Sequence, residues 1–199
     1  MSLYTGPQTA PHSKVSGNDP AGAGAFNFTA GWDGKPFAMP PHYGLRATWW
    51  RSATFGFTAD FNHTKVYADS ATLGAGGTSG GFQTLEFSDG LNNLTFGVVR
   101  KWPGKWQSFT PYAGASIGVV IPHVEVQTTA AAPKTFEYQM AGPSVAWMMG
   151  VGYALNERWE LFGEYKGTYS QVRADLIGGG TLSTNIITNA LNFGMTRHF

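Results

Sequence analysis

Apolar and polar residues alternate with a period of two over much of the chain. In Thr54–His63, Phe55, Phe57, Ala59 and Phe61 fall on one face and Gly56, Thr58, Asp60 and Asn62 on the other, the pattern of a strand with one greasy face. Phe109–Ile121 repeats it, with Ala113, Ala115, Ile117, Val119 and Ile121 set against Tyr112, Gly114, Ser116 and Gly118. Val145, Trp147, Met149, Val151 and Tyr153 likewise alternate with Ala146, Met148, Gly150 and Gly152. Glycines opposite such residues suit a tightly curved sheet with a crowded interior. The pattern predicts eight strands, at about 2–13, 43–51, 54–67, 91–102, 108–126, 143–155, 158–172 and 186–199.

Their connections alternate in length. They are long at Lys14–His42, Ala68–Gly90, Gln127–Gly142 and Arg173–Asn185, and short at Ser52–Ala53, Pro103–Gln107 and Asn156–Glu157. Short turns at one end and long loops at the other are the layout of outer-membrane barrels. With eight strands, both termini fall at the short-turn end. Trp49, Trp50, Trp102, Trp106 and Trp159 flank short turns, as an interfacial aromatic girdle does. Phe199 ends the chain, after Leu191, Phe193, Met195 and Arg197 on one face. The expected fold is all-β: one eight-stranded antiparallel transmembrane β-barrel over residues 1–199, in the Gram-negative outer membrane. No stretch reads as a spanning helix, which needs about 20 predominantly apolar residues. The opening MSLYTGPQ lacks the basic and apolar regions of a signal peptide, so the chain reads as a mature protein.

A soluble lipocalin-type barrel would turn its apolar face inward. Composition separates the two, because the other face here carries Gly, Thr, Ser, Asp, Asn and Glu, polar enough for a lumen. Charged residues make up only 13% of the chain, against roughly 25% in soluble domains, while the 27 glycines fit crowded, curved strands. A net charge of +1 leaves no footprint for nucleic acid. The absence of cysteine removes thiolate metal sites, disulfides and a cysteine nucleophile. Eight strands enclose an interior just filled by side chains, so function belongs to the loops, the rim or a lateral opening, and the barrel is expected to stand as a monomer.

The stripe places Gln8, Arg46, Thr48, Thr58, Asp60, Asn62, Glu160, Glu164, Lys166 and Asn192 inside, where opposite charges must pair. Four of the five histidines, His12, His42, His63 and His123, lie toward the long-loop ends of their strands; neutral imidazole is a common transition-metal ligand. His123-Val124-Glu125 puts an imidazole and a carboxylate on one face of a strand. Continuing the stripe past Ile121 sends that pair outward, so an inward pair requires a bulge, for which Pro122 is a candidate. His63 follows Phe61 onto the lipid-facing stripe. Asp33, Lys65, Tyr67, Glu137 and Tyr138 are rim residues suited to the phosphate and sugar of an outer-leaflet glycolipid.

Several runs carry a family resemblance: Thr9-Ala-Pro-His-Ser-Lys-Val-Ser-Gly-Asn-Asp, Phe28-Thr-Ala-Gly-Trp-Asp-Gly-Lys, Pro41-His-Tyr-Gly-Leu-Arg-Ala-Thr-Trp-Trp-Arg, His63-Thr-Lys-Val-Tyr-Ala-Asp, Pro122-His-Val-Glu-Val and Lys134-Thr-Phe-Glu-Tyr-Gln. Together they look like the rhizobial outer-membrane lipid A oxidase, along the whole chain. The resemblance implies an enzyme that uses O2 to convert the proximal glucosamine of lipid A to 2-aminogluconate, releasing hydrogen peroxide, with lipopolysaccharide of the outer leaflet as its partner among the membrane lipids. Without thiols, the side chains lack a redox group, so a divalent or redox metal ion is expected as cofactor. The expected ligands are His12, His123 and Glu125, with His63 or His42 as base or further ligand and Arg46, Lys65 and Tyr67 near the substrate. Two alternatives from other classes stand beside this: a lipid A deacylase, and a small OmpA-like or opacity-type structural or adhesin barrel.

Overall fold

In the computed structural model, which describes residues 1–74, 82–106 and 108–199, eight staves close into an antiparallel barrel. The first stave is broken into β1 (Ser2–Thr5), β2 (Gln8–Thr9) and β3 (Ser13–Asp19); Pro7 and Pro11 interrupt it because proline donates no ladder hydrogen bond. β4 (Gly24–Ala30) folds back on β3, and β5 (Trp32–Asp33) pairs with the upper end of the third stave. The remaining staves are β6 (Tyr43–Trp50), β7 (Phe55–Ala68), β8 (Thr84–Lys101), β9 (Phe109–Gln127), β11 (Gly142–Ala154), β12 (Trp159–Leu176) and β13 (Gly180–Arg197). A five-residue helix, α1 (Ser70–Gly74), follows β7, and β10 (Thr135–Tyr138) extends beside the top of β9. The order β1-β6-β7-β8-β9-β11-β12-β13 closes through pairing of β1 with β13. The ends of the chain meet there, with the Met1 ammonium donating to the Arg197 carbonyl at 2.9 Å.

The predicted barrel holds, but several strands run further than expected. β8 begins at Thr84 rather than near 91, and β12 and β13 continue to Leu176 and from Gly180, so the loop expected over 173–185 is a turn at 177–179. Gly179, at φ 86°, forms that turn and donates its N–H to the Leu176 carbonyl at 2.9 Å. Residues 75–81 of the expected loop at 68–90, and Gln107 of the expected short turn at 103–107, lie outside the described residues.

The faces exchange polarity partway up. On β12 the inward residues Glu164, Lys166, Thr168 and Ser170 give way to Val172, Ala174 and Leu176, while outward Tyr165 and Tyr169 give way to exposed Gln171, Arg173 and Asp175. On β13 outward Phe193, Leu191 and Ile187 give way to Asn185 and Ser183, and Tyr169 stands opposite Ile187 while Gln171 stands opposite Asn185. On β9 outward Ile117, Val119 and Ile121 give way to His123 and Glu125, as inward Val120, Val124 and Val126 become apolar. The lower section is therefore a membrane barrel with its apolar surface outside. Above it the strands enclose an ordinary apolar core of Phe26, Phe28, Trp32, Phe82, Leu85, Phe87, Leu182 and Ile186, with Phe82 set edge-on to Phe26 and Phe28 at 5.1 and 5.3 Å. Exposed Trp49, Trp102 and Trp106 ring the short-turn end. An apolar exterior belt on a closed antiparallel barrel, with aromatic residues at its edge, is the architecture of the Gram-negative outer membrane.

Candidate functional site

The lumen of the lower section is closed by charge. Arg46 donates through Nε to Asp60 at 2.7 Å and through both terminal nitrogens to Glu164 at 2.7 Å each. Lys166 donates to Asp60 and, at 2.8 Å, to the Tyr4 hydroxyl, which itself donates to Asp60 at 2.8 Å. Tyr112 donates to Glu164 at 2.9 Å. Two cations thus meet two carboxylates with every charged group bonded, the condition under which buried ions are tolerated. Gln8, Thr58, Asn62 and Asn192 are also buried there. Beneath this plug a cavity of about 330 Å³, lined in part by Trp49, Trp50, Lys101 and Tyr112, lies at the short-turn end, away from the outer leaflet. Arg46, expected near a substrate, is tied into the plug.

The upper rim holds the other concentration of titratable groups, and it is on the outside of the wall. β8 carries two more residues than β9 between the pairs Glu86–Glu125 and Leu91–Pro122. The bulge expected at Pro122 is therefore on β8, at residues 87–90; β9 stays regular, and His123 and Glu125 point outward. Gly90 makes the bulge possible: at φ 124° it takes a conformation that suits glycine, and a Cβ there would stand 2.5 Å from Asn92 Oδ1 and 2.7 Å from His63 Nδ1. The bulge delivers Asp89 to the pair. His123 Nδ1 is 3.4 Å from Glu125 Oε1 and 3.8 Å from Asp89 Oδ2, and one donor atom from each residue fits within 4.8 Å of the others.

This group is outward-facing yet largely covered. His123 and Glu125 are 5% and 6% exposed, because β10 lays Phe136 and Tyr138 edge-on against the imidazole at 4.5 and 4.7 Å. Tyr138 also donates to the Asp89 carbonyl at 2.8 Å, holding the bulge. Glu125 accepts from Ser88 at 2.9 Å and from Lys134 at 3.0 Å. Burial pushes its carboxyl up, but those hydrogen bonds and the Lys134 charge outweigh it and hold Glu125 below the usual carboxylate range. Burial, then the neighbouring Glu125 charge, pushes Glu86 up. His123 Nδ1 is buried without a hydrogen-bond partner.

On β7, beside β8, His63 also faces outward, stacked on Tyr43 at 5.1 Å and joined through Nδ1 to Asn92 Oδ1 at 2.8 Å. Since the amide oxygen only accepts, Nδ1 carries the proton and Nε2 presents a lone pair; Nε2 too is buried without a partner. The other expected site residues lie elsewhere. His12 is exposed and stands outside the Asp89, His123 and Glu125 group. His42 is fully buried between the His63 carbonyl and Asn192, each at 2.9 Å. Lys65 is fully buried, donating to the Ala38 carbonyl at 3.1 Å. Tyr67 lies under two ammonium groups, of Lys35 at 4.6 Å and Lys65 at 5.3 Å from its ring centre. Asp89 and Asn92 were not among the expected site residues; the signal for them was the Asp89-Gly90 step inside a strand, a mark of a bulge.

No protein-family profile matches the chain, and no curated protein matches it in sequence. Among solved structures, Neisserial surface protein A superposes with a TM-score of 0.53 at 13% identity, over 100% of this chain and 99% of that one. The outer membrane protein AlkL gives a TM-score of 0.48 at 12% identity, over 99% of this chain and 90% of that one. The outer membrane enzyme PagL gives 0.29 at 14% identity, over 92% and 99%. The first of these shares the fold.

Proposed function

We propose that the chain is an outer-membrane oxidase that converts the proximal glucosamine of outer-leaflet lipid A to 2-aminogluconate with O2. One observation carries the reading. His63, Asn92 and His123 occupy the first outward positions above the apolar belt, following Phe61, Leu94 and Ile121 on their strands, the height at which a lipid lying against the wall would carry its sugar headgroup. The resemblance noted in the sequence supplies the substrate and the reaction.

The chemistry balances as a two-electron oxidation. The C1 hemiacetal loses its C1 hydrogen and its hydroxyl proton, with two electrons, to become a lactone. O2 takes two electrons and two protons to form hydrogen peroxide, and water opens the lactone to the acid. His63 is the base of this reading: Asn92 fixes its tautomer and leaves the Nε2 lone pair without a partner, buried until the side chains over it make way for the sugar. Phe136 and Tyr138 shield the site from water, and Lys134 offers a cation beside it for a lipid phosphate. A serine hydrolase needs its hydroxyl bonded to the imidazole. Ser88, the serine bonded within the group, donates to Glu125 instead, which favours oxidation over deacylation. Mass spectrometry of lipid A from cells with and without the gene tests the reading. A gain of one oxygen, with peroxide released, is expected; a lost acyl chain or unchanged lipid A overturns it.

A further inference from the structure

We infer that Asp89, His123 and Glu125 bind one divalent first-row transition-metal ion on the outer wall of the barrel. The use of that ion in oxidation rests on the functional reading above; the site itself does not.

Three separate observations converge. The first is the donor set: one imidazole nitrogen and two carboxylate oxygens, borderline and hard donors that together suit Mn²⁺, Fe²⁺ or Zn²⁺ better than Ca²⁺, which prefers six to eight oxygens. The second is spacing. Donors bound at about 2.1 Å to a common ion stand roughly 3.0–3.4 Å apart; here the imidazole is 3.4 Å from one carboxylate and 3.8 Å from the other, and the three donors lie within 4.8 Å of one another, a spread that side-chain rotation about an ion closes. The third is the state of the imidazole. His123 is 5% exposed, its Nδ1 has no hydrogen-bond partner, and that atom is aimed between the two carboxylates. Burying a polar nitrogen with nothing to bond costs free energy, and an ion in this position removes the deficit.

The surroundings hold the ligands as metal sites require. Phe136 and Tyr138 pin the imidazole ring from two directions. Ser88 and Lys134 hold one oxygen each of Glu125, leaving each a second lone pair. The Tyr138 hydroxyl anchors the backbone of Asp89. Asp89 keeps a half-exposed side chain, the open side from which an ion enters and at which further ligand positions remain.

The test uses the full chain folded in detergent micelles, stripped with EDTA and titrated with Co²⁺ and Zn²⁺. Calorimetry gives stoichiometry and affinity, and the visible Co²⁺ absorption reports nitrogen and oxygen ligation. One ion per chain is expected, with affinity lowered at least tenfold in Asp89→Asn, in Glu125→Gln and in His123→Ala, and unchanged in His12→Ala. Heat-modifiable mobility on gels checks that each variant barrel is folded. No binding by the folded wild-type chain, or binding unchanged in folded Asp89→Asn and His123→Ala, overturns the site. One ion per chain with unaltered lipid A supports the site and removes the oxidase reading. Oxidation of lipid A by a chain that binds no ion does the reverse.

Discussion

Arg46 and Glu164 face each other across the lumen from β6 and β12, fork against fork, with both nitrogen–oxygen distances at 2.7 Å. Arg46 also reaches Asp60, so one guanidinium links both carboxylates of the plug. Replacing it by Met leaves Glu164 without its cation in a dry interior, and the expected loss is about 3–5 kcal/mol. Urea unfolding in micelles, followed by tryptophan fluorescence, measures it. Arg46→Lys keeps the charge but not the paired geometry and should fall between; a loss below about 1 kcal/mol for both would mean the plug is not what holds the staves in register.

The same plug, under an apolar core, fills the lumen with packed side chains among the described residues. Wild-type protein in planar bilayers should show no stepwise conductance under an applied voltage. Discrete, reproducible steps would contradict the packing of Arg46, Lys166, Phe82 and Phe87.

Gly90 is the narrowest constraint on the rim. Alanine there meets Asn92 and the His63 ring and is strained by φ 124°, at a cost of about 1–3 kcal/mol. Relief of that strain shifts the bulge and with it Asp89. Lipid A conversion by Gly90→Ala is expected to drop about 10²-fold, the effect of a misplacement near 1 Å, while the folded barrel persists on gels. Undiminished conversion would detach the bulge from the reaction.

At the loop end, Asp69 precedes α1 and accepts the Thr72 N–H at 2.7 Å. Hydrogen bonds from Thr72 hold the Asp69 carboxyl below its ordinary value of 3.8. A depressed folded value means the stabilisation is complete above the ordinary value and is lost as pH falls through the depressed one. Thr72→Val removes the side-chain donor, so the Asp69 titration followed by carboxyl NMR should move up toward 3.8; a midpoint that stays put would assign the shift to the backbone donors alone.

Strand count, chain ends, girdle and lumenal charges were legible in the sequence because lipid imposes one rule on every stave: apolar out, polar in. The upper strands were not, since Val172, Ala174 and Leu176 face inward there and Gln171, Arg173 and Asp175 outward, which reads as a loss of pattern although the chain remains extended. At the rim the sequence brought out His123 and Glu125 and placed them outward unless a bulge intervened. Asp89 was hidden because its contact with them depends on two extra residues in a neighbouring strand. His12 was the opposite case, close in chain position to the loops but standing outside the cluster. Lys65 was expected at the rim near the substrate; the 34–41 segment folds over it, and its ammonium meets the Ala38 carbonyl.

The exchange of polarity along one row of residues also sets the barrel's waterline. Sinking would draw Gln171, Arg173 and Asn185 into hydrocarbon, at about 2–4 kcal/mol for an arginine that reached the midplane, and rising would lift Ile187, Tyr169 and Ile121 into water. The protein floats at a fixed draught. On the proposed function, a lipid arriving from any direction in the plane of the leaflet would find His63, Asn92 and His123 at one fixed height.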